Sequence, residues 1–395
     1  MEQIQRVLLG ITGGIAAYKM PELVRLLAKN GVTTKVVLSP NARFFVTEET
    51  LRTVSDNFVY CDSFTSQFNM AHIELAKWAQ IFLICPATAN TIAKIACGIA
   101  DNLLTTLALS FDKRMIIVPA MNSAMWQNSI TQKNISILKE KGCFVLPVDE
   151  GELACGERGV GRLLPLNDIV NAVLNANFPK VLSNKKVLIS CGPTLEPIDD
   201  VRVITNLSSG KMGIALSYAA LNSGAEVCVV CGPCPDTFPS GCRVIRVNTA
   251  LEMKASLDKE FKNSDVCIMA AAVADFKPQK TIKGKIHRNA SKEIILKLIP
   301  NPDILMELGK IKKEQIIVGF SLESKLNINN AQSKMKSKNC DIMVVNTIKS
   351  SIGKDKSEAA IIYGNKKLEK FEIISKQELA NKIILAIAEV IRTKQ

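Results

Sequence analysis

Short apolar runs recur along this chain, separated by helix-like stretches, and most stop at a small or turn-forming residue. They fall at 6–11, 33–38, 81–85, 114–119 and 143–146, and again at 186–191, 225–231, 265–271, 315–320 and 341–345. Runs of this length read as strands buried on both faces of a parallel sheet. The intervening stretches carry helix signals, as in Pro21 to Lys29, halted by Asn30-Gly31. The alternation predicts an α/β fold with doubly wound sheets, in which ligands sit at the carboxyl ends of the strands. Those ends read Thr12-Gly13-Gly14-Ile15, Ser39-Pro40-Asn41, Pro86-Ala87-Thr88-Ala89-Asn90 and Pro119-Ala120-Met121-Asn122.

The 395 residues exceed one ordinary core and predict two domains. A polar, Pro-containing stretch from Asn177 to Lys185 reads as a linker, giving domains 1–178 and 186–395. Tyr363 to Lys366 predicts a hairpin, and Gln377 to Ile391 a closing amphipathic helix.

No apolar run approaches the roughly 20 residues of a membrane helix. The short apolar segment before Thr12 turns at once, unlike a signal peptide. A cytoplasmic setting follows as the expectation, with the twelve cysteines reduced. Residues 1–180 hold 17 Lys and Arg against 15 Asp and Glu, whereas residues 181–395 hold 33 against 22. Much of that excess reads as solvated surface; the sharper reading is a field that gathers a polyanion such as a nucleoside triphosphate. Aromatics make up only 5% and no base-stacking motif is present, which argues against nucleic acid as a partner.

Ser190 to Gly213 is a small-residue, Gly-punctuated stretch between a strand-like and a helix-like run, where backbone N–H groups can face an anion. It is neither a phosphate loop, since Gly210-Lys211-Met212 lacks the following Ser or Thr, nor a G-x-G-x-x-G turn. Only two histidines occur, His72 and His287. His72, in a helical pattern, reads as either a packing residue or a proton handler, and periodicity does not separate the two. Cys155 lies in a Gly-rich charged loop that can present a thiol, or can be a loop cysteine without a role. Cys228, Cys231 and Cys234 have C-x-x-C-x-x-C spacing, but Cys228 and Cys231 fall on one strand and point to opposite faces. Buried strand cysteines are the preferred reading there, over redox or metal chemistry. Asp275 ends the small-residue run from Ala270, Asp303 opens a helix as a cap or ligand carboxylate, and Lys334 and Lys338 share a helix face as solvated residues or a phosphate clamp.

Taken in order, Thr12 to Lys19, the His72 helix, Pro86 to Asn90, Pro119 to Asn122, Ala154-Cys155-Gly156, Ser190 to Gly213, Ala271 to Phe276 and Asn301-Pro302-Asp303-Ile304 resemble the bacterial bifunctional coenzyme A biosynthesis family. In that family phosphopantothenoylcysteine decarboxylase is fused to phosphopantothenate–cysteine ligase. The resemblance implies two Rossmann-like domains, the N-terminal one a flavodoxin-like flavoprotein. It places FMN near Gly13, Ser39, Thr88 and Ala89, with His72 assisting oxidative decarboxylation, Asn122 binding the substrate carboxylate and Cys155 donating a proton in the final reduction.

For the second half the resemblance implies CTP-dependent ligation of cysteine to 4'-phosphopantothenate through an acyl-cytidylate. Asn206 would act at the phosphopantothenate and Lys285 at the activated intermediate. Met269, Ala270, Ala271, Asp275, Pro302, Asp303, Ile304, Leu305, Phe320, Lys334 and Lys338 would join Lys285 in the CTP site, with Mg2+ on the triphosphate. The family also implies a homo-oligomer, a dodecamer built from trimers being the expected form. Leu195, Pro300, His287-Arg288 and Gly14 depart from the usual pattern. The rival readings are a flavin prenyltransferase-like protein fused to a nucleotide-dependent domain, and a phosphatase-binding regulatory homologue.

Overall fold

The computed structural model describes residues 4–61, 70–154, 156–234, 238–286, 295–324, 326–347, 356–365 and 367–394. The chain divides into two compact units, Met1–Phe178 and Pro179–Gln395.

In the first unit a parallel sheet is built from β1 (Arg6–Ile11), β2 (Thr33–Leu38), β3 (Val59–Tyr60), β4 (Ile81–Ala87), β5 (Arg114–Pro119) and β6 (Phe144–Val145). Their order is β3-β2-β1-β4-β5-β6. This is the Rossmann order, and without the two-residue edge strand β3 it is the flavodoxin order. Strand alternation divides the buried side chains between two cores. Val7, Leu9 and Ile11 of β1 join Ile81, Leu83 and Cys85 of β4 on one face. Leu8 joins Phe82 and Ile84 on the other. Each such side chain contributes about 1.5–3 kcal/mol of burial. Gly10 leaves room for the Phe82 ring: a Cβ there would stand 3.0 Å from Phe82 Cε2. A small antiparallel pair, β7 (Asp149–Glu152) and β8 (Arg158–Arg162), follows β6.

The second unit repeats the logic. Its main strands are β9 (Lys186–Cys191), β12 (Glu226–Cys231), β13 (Arg243–Arg246), β14 (Val266–Met269), β17 (Ile316–Glu323), β18 (Ile342–Thr347), β19 (Lys356–Tyr363) and β20 (Leu368–Ser375). The order is β13-β12-β9-β14-β17-β18-β19-β20, with the β19–β20 hairpin antiparallel on one edge. The six parallel strands therefore reverse direction of addition between β9 and β14, as the first sheet does between β1 and β4. Two small hairpin-like pairs decorate the carboxyl end: β10 (Leu195–Pro197) with β11 (Val203–Thr205), and β15 (Phe276–Pro278) with β16 (Leu298–Pro300). The closing helix Lys376–Lys394 buries Leu379, Ile383, Ile384 and Ile387 and packs on the helix Lys211–Asn222.

Asn177 to Lys185, which reads as a linker, behaves otherwise. The Leu182 side chain is fully buried, its N–H donates to Ser223 O at 3.0 Å, and Lys180 Nζ donates to Asn222 O at 2.8 Å. The polar composition hid one apolar anchor, so residues 179–185 pack as part of the second unit, whereas Asn177 and Phe178 end the first.

Candidate active sites

The β1–β4 switch point of the first unit opens into a cavity of about 930 Å3. Gly13, Ser39, Thr88, Ala89 and Asn122 all line it, so five of the residues expected for flavin and substrate converge. The Thr12 hydroxyl donates to Pro86 O at 2.6 Å and accepts the Thr88 N–H at 3.0 Å, which joins the β1 and β4 tips. Gly13 lies so close to the Ser39–Asn41 turn that a Cβ would fall 2.4 Å from Asn41 Cβ. Thr88 caps the helix Ala89–Cys97 and Asn122 caps the helix Ser123–Gln127, its Oδ1 accepting the Met125 N–H at 2.8 Å. The β8 backbone is tied to the β5 tip by Met121 N–H donating to Gly161 O at 2.9 Å and Ser123 Oγ donating to Val160 O at 2.8 Å.

Cys155 itself lies outside the described residues, but its neighbours Leu153 and Ala154 line the cavity. Cys85, by contrast, is wholly enclosed, and burial pushes its thiol well above the ordinary range, so it has no acid–base use. His72 is partly buried on the helix Ala71–Trp78 and is not among the residues lining this cavity.

In the second unit the β9 and β14 tips lock together. Ala272 N–H donates to Gly192 O at 2.9 Å, Ala271 N–H to Ser190 Oγ at 3.1 Å, and Ala274 N–H to Thr194 Oγ1 at 3.0 Å. Asn206, directly after β11, donates its amide to Val273 O at 2.9 Å and to Ala272 O at 3.3 Å. The small residues from Ala270 onward thus form a backbone ledge against which Asn206 is set. Met269 pairs in register with Gly319, and a Cβ on Gly319 would lie 3.1 Å from Leu305 Cδ2, so Met269, Leu305 and Phe320 gather at the β14–β17 tips. Asn301 links this group to Asp275 and Ala274, its N–H donating to Asp275 O at 2.8 Å and its Nδ2 to Ala274 O at 2.9 Å.

Lys334 and Lys338 do share a helix face, but both already hold carboxylates. Lys334 Nζ contacts Glu323 Oε1 at 2.8 Å and Ser321 Oγ at 3.1 Å, and this ammonium, followed by the Ser321 hydroxyl, keeps Glu323 below the usual carboxylate range. Lys338 Nζ lies 2.9 Å from Asp303 Oδ2, while Asp303 Oδ1 caps its helix by accepting the Met306 N–H at 3.0 Å. Asp303 is therefore both a helix cap and an ion-pair partner, with Pro302 and Ile304 beside it.

A pair of carboxylates that the motif reading passed over organises the rest. Asp199 Oδ1 accepts the N–H groups of Val201 and Arg202 at 2.8 and 2.6 Å. Its Oδ2 accepts the Ile286 N–H at 3.0 Å and Arg202 Nη1 at 2.7 Å. Asp200 Oδ2 accepts the Gly284 N–H at 2.9 Å. Exposed Lys285 is thereby fastened on both sides to the β10–β11 segment that ends in Asn206. The hydrogen bond from Ile286 heads the causes that hold Asp199 at about 2, with those from Val201 and Arg202 behind it. The adjacent carboxylates of Ile198-Asp199-Asp200 were the available sequence signal. His287 and Arg288 lie outside the described residues.

Residues 1–178 match the Flavoprotein family model, and residues 182–391 match the model described as DNA/pantothenate metabolism flavoprotein C-terminal domain. The "Coenzyme A biosynthesis bifunctional protein CoaBC" of Borreliella burgdorferi is 39% identical over 96% of this chain and 95% of its own length. That of Bacillus subtilis is 38% identical, covering 97% of both chains. A "Cysteine/Cysteine sulfinic acid decarboxylase" from an unknown prokaryotic organism is 43% identical over 88% of this chain and 99% of its own. With both halves matched in order and near full-length likeness, the chain belongs to the family of bifunctional coenzyme A biosynthesis proteins, enzymes that join a flavoprotein decarboxylase to a pantothenate-metabolism ligase.

Proposed function

We propose that the second unit ligates cysteine to 4'-phosphopantothenate at the expense of CTP, and that the first decarboxylates the product on FMN to give 4'-phosphopantetheine. The observation that carries the ligase half is the shared frame of Asn206 and Lys285, two residues 79 positions apart fixed to one β10–β11 segment. A carboxylate is a poor acyl donor, so its oxygen first attacks the α-phosphorus of CTP, releasing pyrophosphate and forming an acyl-cytidylate. The cysteine amine then displaces CMP. Asn206 positions the phosphopantothenate carboxylate beside the Ala271–Ala274 ledge, and the Lys285 ammonium offsets the negative charge that develops on the reacting groups. Met269, Ala270, Ala271, Asp275, Pro302, Asp303, Ile304, Leu305 and Phe320 form the nucleotide cradle. Lys334 and Lys338 exchange Glu323 and Asp303 for phosphate oxygens. Mg2+ arrives on the triphosphate.

The first cavity suits a flavin mononucleotide. Its size matches a ligand pocket, its wall mixes Ile15, Met121 and Leu153 with Ser39, Asn41 and Thr88, and Gly13 and Gly14 keep the backbone close. FMN supplies a reversible two-electron acceptor, which decarboxylation of a cysteinyl carboxylate needs. Asn122 holds the substrate carboxylate with the amide NH2 that its capping oxygen leaves over. The Cys155 thiol returns a proton in the last reduction. His72, which does not line this cavity, is assigned to the cavity of a second copy in a homo-oligomer; a dodecamer is the assembly we propose, in the cytoplasm. No helix of the described residues is long and apolar enough to cross a membrane.

The test is nucleotide stoichiometry. With phosphopantothenate and cysteine present, CTP yields CMP and pyrophosphate in equal amounts while ATP yields neither. Turnover with ATP, or release of CDP and phosphate, contradicts the acyl-cytidylate route.

A further inference from the structure

Three cysteines that neither proposed reaction uses meet at the carboxyl ends of β9 and β12. Cys191 and Cys231 are the last residues of those strands and are register partners in the parallel ladder. The chain turns at Gly232-Pro233 and brings Cys234 back over them. The three Sγ atoms all lie within 4.8 Å of one another, and Cys231 and Cys234 Sγ are 3.4 Å apart. Cys191 and Cys231 are fully buried and Cys234 is half-buried. Cys228 is not part of this group, as its place on the opposite face of β12 requires.

The surroundings favour a thiolate at Cys234, while hydrogen bonds with Cys231 and Cys234, followed by burial, push the Cys191 thiol well above its ordinary range. Arg246, the last residue of β13, sets Nη1 3.6 Å from Cys231 Sγ and 3.8 Å from Cys234 Sγ. The first turn of the twelve-residue helix Lys211–Asn222 lies on the sulfurs: a Cβ on Gly213 would fall 2.4 Å from Cys191 Sγ, and one on Gly210 3.2 Å from Cys234 Sγ. Positive helix ends and guanidinium groups both stabilise ionised sulfur. Hydrogen bonding from Cys191, then from Cys231 and Arg246, draws the Cys234 thiol well below its ordinary range.

We propose that Cys191, Cys231 and Cys234 form a three-thiolate site for a soft divalent cation, with Zn2+ as its occupant. Zinc–sulfur bonds of about 2.3 Å place the sulfurs of such a site roughly 4 Å apart, so the 3.4 Å Cys231–Cys234 pair opens slightly and the other pairs, all within 4.8 Å, close by less than about 1 Å. Binding releases the thiol protons to solvent and changes no oxidation state. Three thiolates and Zn2+ leave one negative charge, which Arg246 balances; a monovalent ion would leave two. A disulfide between Cys231 and Cys234 would leave Cys191 without a part, whereas a metal uses all three sulfurs. The Cys191 thiol also donates to Gly210 O at 3.3 Å, so loading the site removes a donor from the Ser208–Gly210 turn.

The full chain, reduced and incubated with Zn2+, is dialysed against a weak chelator and measured for metal content and by zinc X-ray absorption. The expected result is one retained Zn2+ per chain with three sulfur neighbours at about 2.3 Å. C191S, C231S and C234S each lower retention at least tenfold, while C97S, at an exposed cysteine, leaves it unchanged. Flavin content and circular dichroism equal to wild type show that the variants are folded. No retained zinc in the wild type, or retention equal in the wild type and C234S, overturns the proposal. So does a quantitative Cys231–Cys234 disulfide that forms with zinc present.

Discussion

The Asp199 carboxylate accepts the backbone N–H of Ile286 at 3.0 Å, one residue beyond Lys285. Asp199 is 2% exposed, its carboxylate oxygens taken up by Val201, Arg202 and Ile286. It acts as a positioning residue. Asp199→Asn keeps the shape but weakens the charge-assisted bonds. Ligase kcat is expected to fall about 10- to 100-fold with little change in the KM for CTP, and amide exchange at Val201, Arg202 and Ile286 to accelerate. A rise in KM with kcat intact would assign Asp199 to ground-state binding instead.

The same carboxylate gives a pH signature. Its folded value near 2 lies below the ordinary value of 3.8, so its contribution to stability is complete above the ordinary value and is lost as pH falls through about 2. In urea titrations the stability gap between wild type and Asp199→Asn should be constant from pH 7 to about 5 and shrink steadily below about 4. A gap that widens on acidification would show the sign to be wrong.

Lys285→Gln tests the charge-offsetting role proposed for this ammonium. Amide formation should drop about 10^2- to 10^3-fold, while decarboxylation of chemically synthesised phosphopantothenoylcysteine proceeds at the wild-type rate. Equal loss of both activities would remove Lys285 from the ligase chemistry.

Gly13→Ala tests the flavin cradle. The added Cβ would stand 2.4 Å from Asn41 Cβ and 2.9 Å from the Asn41 carbonyl carbon, so the Ser39–Asn41 turn must move. Flavin content of the purified chain should fall at least about tenfold, as a backbone shift in a tight binding turn predicts, with ligase turnover retained. Full flavin occupancy would show that this turn does not contact the cofactor.

The sheets were legible because their strands are apolar runs, and Val7, Leu8 and Leu9 declare two buried faces by sequence alone. The small antiparallel pairs were not. Asp149–Glu152 and Arg158–Arg162 carry no apolar alternation, and Leu195–Pro197 sits inside a stretch read as one loop. Topology placed Thr88 and Asn122 at strand ends, while the roles expected of them came from the family resemblance. The lysine pair was placed on one face, but its carboxylate partners come from β17 and from the N-cap of the helix Ile304–Ile311, which no local spacing encodes. The cysteines show the same limit. Strand alternation separated Cys228 from Cys231, yet only the β9–β12 register sets Cys191 beside Cys231.

Carboxyl-labelled cysteine tests the two-site account most directly. Incubated with the full chain, phosphopantothenate and CTP, it should release labelled carbon dioxide in step with pyrophosphate, and release should cease when either phosphopantothenate or CTP is withheld. Label released from cysteine alone would contradict the account and identify the first unit as a decarboxylase of the free amino acid.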